Sequence, residues 1–262
     1  MSKPQAAKSR SARVLQLLEL VARMDRPASV QEITELSGLP KATAYRICAT
    51  LESDGYLRKE FGGRGLVPGP RMFVSGPAIG ITGGHCSDNN LLPPEYDAHG
   101  DGVADGPWAV RAKVRENIKF GADMIKTCST GGVLSKGTKV GAPQYTLGEL
   151  EALVDEAHSH GLKVASHAHG AEGIRNALEA GVDTIEHASF IDDEGIRLAK
   201  RNGAYLSMDI YVTEFILGEG EAAGILPESL EKERMTGETQ RENFRKAHDA
   251  GVKMIFGTDA GV

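Results

Sequence analysis

Four runs from residue 121 onward share one pattern: a glycine, a short apolar stretch, and then a polar residue able to hold a metal. They are Gly121-Ala-Asp-Met-Ile-Lys126, Gly161-Leu-Lys-Val-Ala-Ser-His167, Gly181-Val-Asp-Thr-Ile-Glu-His187 and Gly251-Val-Lys-Met-Ile-Phe-Gly-Thr-Asp259. A glycine suits the left-handed residue that closes a helix, and the apolar run that follows suits a parallel strand covered on both faces. The carboxyl ends of parallel strands converge on one face, which in a βα barrel carries the chemistry. Lys126, His167, His187 and Asp259 are therefore candidates for a single site.

Any one of these residues alone reads better as a satisfied polar group at a strand end. Together, two imidazoles and a carboxylate are borderline ligands that suit zinc. A lysine joins such a set only after carbon dioxide has converted its amine to a carbamate. Unmodified, Lys126 is a cation that weakens metal binding.

Length and charge divide the chain. With 262 residues it holds one barrel or two smaller domains. Residues 1–65 carry eleven Lys and Arg against seven Asp and Glu, a net +4, and residues 66–262 carry nineteen against twenty-nine, a net −10. All eight histidines fall in the second segment. A basic segment joined to an acidic, histidine-bearing one predicts two modules with different partners. No run approaches a membrane span and no signal peptide opens the chain, so the expectation is a cytoplasmic protein. The cysteines, Cys48, Cys86 and Cys128, are odd in number and far apart, which argues against a disulfide framework or a zinc ribbon. Cys128, just past Lys126, reads as a nucleophile or, by preference, as a buried small hydrophobe.

The first module reads as three helices and a strand. Val14, Leu15, Leu17, Leu18 and Val21 give an apolar face to a helix over about Ser11 to Met24. A second helix runs from about Val30 to Leu36, with Ser29 as N-cap and Glu32 closing a capping box. Gly38-Leu39-Pro40 turns into a third helix, about Lys41 to Ser53, and Gly55 to Lys59 is a strand leading to a wing. Lys41, Thr43, Ala44 and Arg46 stand at the start of the third helix, where a recognition helix meets DNA. A small helical bundle for protein contacts fits the same periodicity.

The segments Ser11-Ala-Arg-Val-Leu, Lys41-Ala-Thr-Ala-Tyr-Arg46 and Ala49-Thr-Leu-Glu-Ser-Asp-Gly-Tyr56 resemble the DNA-binding domain of IclR-type bacterial transcriptional regulators. The resemblance implies a winged helix-turn-helix over residues 1–62 that binds double-stranded operator DNA as part of a dimer, so the chain is expected to form a homo-oligomer. From Leu66 onward that pattern ends, and the wing's second strand is expected to be short or missing.

Residues 65–262 are similar to metal-dependent amidohydrolases of the imidazolonepropionase-like and prolidase-like branch. The segments that carry this are Pro68-Gly-Pro-Arg-Met-Phe-Val-Ser-Gly76, Thr82-Gly-Gly-His85, Gly121 to Lys126 with Thr130-Gly-Gly132, His167-Ala-His-Gly170, Gly181 to His187, and Thr258-Asp259. The resemblance implies an α/β fold, the (β/α)8 TIM barrel, with one or two zinc ions. In it Lys126 is a bridging carbamate, His167 and His187 are ligands of the second metal, and Asp259 is ligand and general base. His85 would contact substrate or transition state, and equally reads as a surface-loop histidine. Arg115 and Tyr145 lie in similar segments without an assigned role. Strands are predicted near 72–75, 123–127, 163–167, 183–187, 205–208 and 253–257, with a further one near 78–82. Helices are predicted near 107–120, 147–160, 171–180, 192–202 and 228–250, the second opening on a capping box of Thr146 with Glu149. The stretch from Gly83 to Pro107 reads as a long loop.

The chain departs from the family in one respect. The first-strand His-x-His that binds the first metal has no counterpart before Gly65. His158-Ser-His160 sits on a predicted helix, where its rings point about 200° apart, and His167-Ala-His169 sits at a strand end, where alternate residues face the same way. His169 is thus a possible extra ligand or a supporting residue. The expectation is an incomplete barrel, strands two to eight, lacking its first strand. Three functions follow: a hybrid of a transcription-regulator domain and an amidohydrolase domain whose hydrolysis of amide or peptide C–N bonds is weak or lost, an active zinc-dependent amidohydrolase or dipeptidase acting on a small-molecule amide or dipeptide, and a regulator using the barrel as a metabolite sensor.

Overall fold

A computed structural model describes residues 10–24, 26–53, 55–59, 66–68, 73–87 and 100–259. Its packing separates two units, Met1–Val74 and Ser75–Val262.

In the first unit, helices α1 (Arg10–Ala22), α2 (Val30–Ser37) and α3 (Lys41–Ser53) enclose a core of Leu17, Val21, Ile33, Ala44, Ile47, Leu51 and Leu57. The capping box forms as expected: the Ser29 hydroxyl accepts from the Glu32 N–H, and the Glu32 carboxylate accepts from the Ser29 N–H. Strands β1 (Leu57–Lys59) and β2 (Leu66–Pro68) pair antiparallel, with Leu57 opposite Pro68 and Lys59 opposite Leu66. The second strand of the ribbon is therefore present, and three residues long. The connection between the two strands lies outside the described residues.

The second unit is built on a parallel sheet. Strands β3 (Ile125–Cys128), β4 (Val164–Ala168), β5 (Thr184–His187), β6 (Tyr205–Ser207) and β7 (Lys253–Ile255) pair in chain order, all parallel. Helices α4 (Pro107–Lys119), α5 (Leu147–Ser159), α6 (Ala171–Ala180), α7 (Asp193–Asn202), α8 (Val212–Gly218) and α9 (Pro227–Asp249) precede or separate them. All five residues of β4 are buried, as its apolar run requires of a strand covered on both faces. Gly181 and Gly203 close α6 and α7 with left-handed backbone (φ 96° and 69°), the conformation that favours glycine there. Thr146 and Glu149 form the capping box that opens α5.

Three expectations are corrected. No strand forms at 73–75, where Phe73 is 79% exposed and so does not belong to a buried run; Met72 lies outside the described residues. Pairing starts later, where Ile79 bridges Thr127 and Gly80 bridges Val103. Helix α8 was not expected; Val212 and Ile216 bury its inner face against Leu230 in a small cluster of their own. Finally β7, read as a covered strand, leaves Ile255 43% and Phe256 90% exposed. Within the described residues the sheet is open, with β7 at one end. Residues 88–99 of the long loop fall outside the described residues. Among the described residues no helix is long and apolar enough to cross a membrane.

Candidate metal centre

Sheet register brings the polar tips together. His167 lies opposite Glu186 and Ala168 opposite His187, which sets His187 beside both His167 and His169 on the neighbouring strand. On β3, Lys126 and Cys128 alternate to the same side and both line a cavity of about 230 Å³, while Thr127 turns away to donate to the Ile79 carbonyl at 2.9 Å. His85, Lys126, His167, His187 and Asp259, the five residues expected at the site, all line this cavity.

Four imidazoles crowd its floor. The His85 ring stacks on His167 with centroids 4.0 Å apart, His167 meets His187 edge-on at 4.5 Å, and His169 stacks on His187 at 4.6 Å. The Thr130-Gly-Gly132 motif makes room for this: a Cβ on Gly132 would sit 2.4 Å from the His85 ring, and one on Gly131 would sit 2.3 Å from the Lys139 carbonyl oxygen. Burial holds His167 and His169 well below the usual imidazole range, and the neighbouring imidazoles push the same way. Burial, then His187 and Lys126, lower His85 to about 4. These rings stay neutral at neutral pH, with lone pairs available to a metal. Two ring nitrogens, His85 Nδ1 and His167 Nε2, are buried without a hydrogen-bond partner. His169 Nδ1 is engaged by the Ser189 hydroxyl at 2.8 Å.

Lys126 pairs with Glu186. Burial draws its ammonium down to about 8, while Asp259 and Asp209 pull the other way. His167, His169 and His187 offer ligand atoms within 4.8 Å of one another, and so do His187, Asp209 and Asp259.

Several residues of the cavity were not anticipated. Asp209, Glu233, Thr236 and Gln240 all line it. The last three come from α9, where Ser229, Glu233, Thr236, Gln240, Asn243 and Ala247 are buried at spacings of three and four. That register was readable, but its residues are polar and a search for apolar faces passes over them. Gln240 donates to the carbonyls of His187 and Met208 at 3.1 and 2.9 Å, and Asn243 to that of Ser189 at 2.8 Å. Glu233 accepts from Thr213 and Thr236, yet its burial raises its carboxyl above the usual range. Cys86 and Cys128 form a disulfide across 42 residues, against the expectation for Cys128; it ties the loop behind His85 to β3. Arg115 and Tyr145 are structural. The Arg115 guanidinium grips the Glu156 carboxylate at 2.7 and 3.0 Å, and the Tyr145 hydroxyl donates to the Ala104 carbonyl at 2.6 Å.

In the first unit, Lys41 and Arg46 are exposed on α3 and Thr43 is half-buried. Ala44 is wholly buried against the core, so its side chain is withdrawn from the set of DNA contacts. Tyr45, 48% exposed beneath the Lys41 ammonium, stands on the outer face instead.

The chain belongs to the amidohydrolase family, whose model matches residues 40–262, and the parallel α/β sheet with polar residues at its strand ends agrees with that. An IclR helix-turn-helix domain matches residues 12–60. The chain is 31% identical over 210 residues to the ochratoxinase of Aspergillus niger, covering 74% of this chain and 43% of that protein. Among solved structures it is similar to a Xaa-Pro dipeptidase with methionine in its active site (40% identity, TM-score 0.70, 81% of this chain and 51% of that one). It also resembles a prolidase complexed with N-methylphosphonate-L-proline (36% identity, TM-score 0.67, 74% and 49%). The chain thus spans about half the length of these relatives.

Proposed function

We propose that the chain joins a DNA-binding module to a metal-dependent amidohydrolase pocket, and that the pocket binds zinc but hydrolyses C–N bonds far more slowly than its full-length relatives. The module boundaries in this reading are 1–62, a winged helix-turn-helix, and 65–262, strands two to eight of a (β/α)8 barrel without the first. Among the described residues the sheet is open, with five strands paired in chain order, which supports an incomplete barrel.

One observation carries the reading: His85, Lys126, His167, His187 and Asp259 converge on one cavity. The donor set fits a borderline divalent ion, since buried neutral imidazoles, a bare His167 Nε2 and two nearby aspartates have lone pairs and negative charge to offer. Lys126, His167, His187 and Asp259 would hold it. When bound, zinc makes water acidic near neutral pH and polarises a scissile carbonyl. Lys126, drawn down to about 8, keeps a neutral fraction at physiological pH. That amine attacks carbon dioxide and loses a proton, exchanging an ammonium for an anionic carbamate. Asp259 accepts the proton of the attacking water. His85, neutral and half-buried, donates from its ring to the carbonyl oxygen of an amide or dipeptide substrate. Slow turnover follows from the missing His-x-His, which leaves a first ion without its pair of imidazoles.

Metal content measured by mass spectrometry after growth with zinc and bicarbonate tests the pocket. One or more equivalents are expected, lost in Lys126→Ala, together with slow hydrolysis of Xaa-Pro dipeptides; no bound metal in the wild type overturns the reading. For the first module, a gel shift on duplex DNA is expected to show binding that weakens as salt rises. Absence of a shift even at low salt would sink the regulator half of the proposal.

A further inference from the structure

Among the described residues, four other than glycine have left-handed backbone: His187 (φ 67°), Ala188 (φ 49°), Asp209 (φ 23°) and Asp259 (φ 49°). Three of the four are a cluster. They stand at or just beyond the ends of three strands, and one ligand atom from each lies within 4.8 Å of the others. L-residues resist this backbone conformation, and it collects where a fold aims side chains for a purpose.

Asp209 is the member that folding does not explain. Its side chain is only 4% exposed. Oδ2 lies 3.0 Å from His187 Nδ1, and Oδ1 is buried with no partner. An ionised carboxylate should accept several hydrogen bonds, and a buried oxygen that receives none is costly. The charge around it makes matters worse: Glu186, Glu233 and Asp259 line the same cavity, against Lys126 as its one lysine. A buried carboxylate oxygen and a buried imidazole nitrogen, both without hydrogen-bond partners, in a cavity lined by further carboxylates call for a cation.

We infer that His187, Asp209 and Asp259 form a divalent-cation site in which Asp209 is a direct ligand. The inference rests on the metal-binding reading above and adds to it a residue that neither the strand-tip pattern nor the family resemblance assigns. Two carboxylates and an imidazole suit zinc, cobalt or manganese. Nitrogen and oxygen ligands about 2.0–2.2 Å from one ion lie roughly 3.0–3.5 Å apart, and the His187–Asp209 pair is already at 3.0 Å. To bind through Nδ1 the His187 ring carries its proton on Nε2, a change of tautomer with no change in charge. Asp209 then trades a hydrogen bond for a metal bond, and its second oxygen gains a neighbouring cation. Geometrically this compensates in part for the absent first-strand histidines, with a ligand after β6 in their place.

The competing role is that Asp209 only holds the ring, accepting from Nδ1–H while Nε2 meets the metal. Anomalous diffraction at the cobalt edge, from crystals of the full chain grown with cobalt, separates the two. A peak in bonding range of Asp209, His187 and Asp259 is expected. A peak bonded to His187 Nε2, with Asp209 still on Nδ1, overturns the inference. In solution, Asp209→Asn is expected to weaken cobalt binding at least 100-fold, read by d–d absorption, with circular dichroism checking the fold. Equal binding by the variant overturns the inference and leaves the metal pocket standing. Failure of the wild type to bind cobalt overturns both.

Discussion

The two units spend their interiors differently. Every buried polar or charged side chain among the described residues lies in the second unit, and the first is closed by apolar side chains alone. The first exposes Lys41, Tyr45 and Arg46 on a helix that holds its shape without them. The second turns histidines, aspartates and a glutamate inward and keeps three of its pocket residues in left-handed backbone. A unit closed by apolar area responds to little but salt and denaturant. One that buries titratable groups and a disulfide should respond to pH, redox state and metal as well.

Reduction should reveal the largest difference. In the chain-entropy account, closing a 42-residue loop stabilises by about 4 kcal/mol. A reductant, or Cys128→Ser, should lower hydrogen-exchange protection across 100–259 and leave 10–53 unchanged. Equal loss in both units would erase the contrast.

Acid is next. His167 and His169 are held neutral by burial, their folded pKa values below that of the unfolded chain. The unfolded state therefore binds protons that the folded state refuses. The stability they support is whole above about 6.5 and falls as pH drops, by about 1.4 kcal/mol per pH unit for each ring. In the first unit the nearest counterpart is Glu32, held down to about 2 by Arg26 and the Ser29 N–H, so its contribution is lost only as pH falls through 4.5 toward 2. Urea unfolding followed by hydrogen exchange between pH 7 and 5 should show the second unit weakening and the first flat.

Arg46→Ala gives the smallest effect. On the proposal that α3 meets DNA, removing the exposed Arg46 guanidinium should weaken DNA binding severalfold and reduce the salt slope by about 0.9. Metal content should not change. A loss of metal with this variant would mean that the two units are coupled.

Much of this division was legible in the sequence. The capping boxes at Ser29 and Thr146 and the glycines at 181 and 203 mark helix ends by local chemistry, which a sequence displays directly. Strand tips at Lys126, His167, His187 and Asp259 were readable because each follows an apolar run. Asp209 stands at the equivalent place, in Gly203-Ala-Tyr-Leu-Ser-Met-Asp209, but Tyr205 and Ser207 break the apolar run, so the pattern does not single it out. Ala44 was misassigned because position near a helix start does not say which face a side chain takes. Glu233 sits in a three-and-four register that its polarity hides, and the disulfide depends on a contact between distant segments, about which local pattern is silent.

Gln240 fastens the last turns of two strands to one helix, its amide bridging the backbone of His187 and Met208. Strand tips that end in loops ordinarily wander independently. Here two of them share a strut 23 residues long, so a disturbance far along that strut is felt at both tips together. Pulling on one tip therefore strains a hydrogen bond that the other tip shares through the same amide.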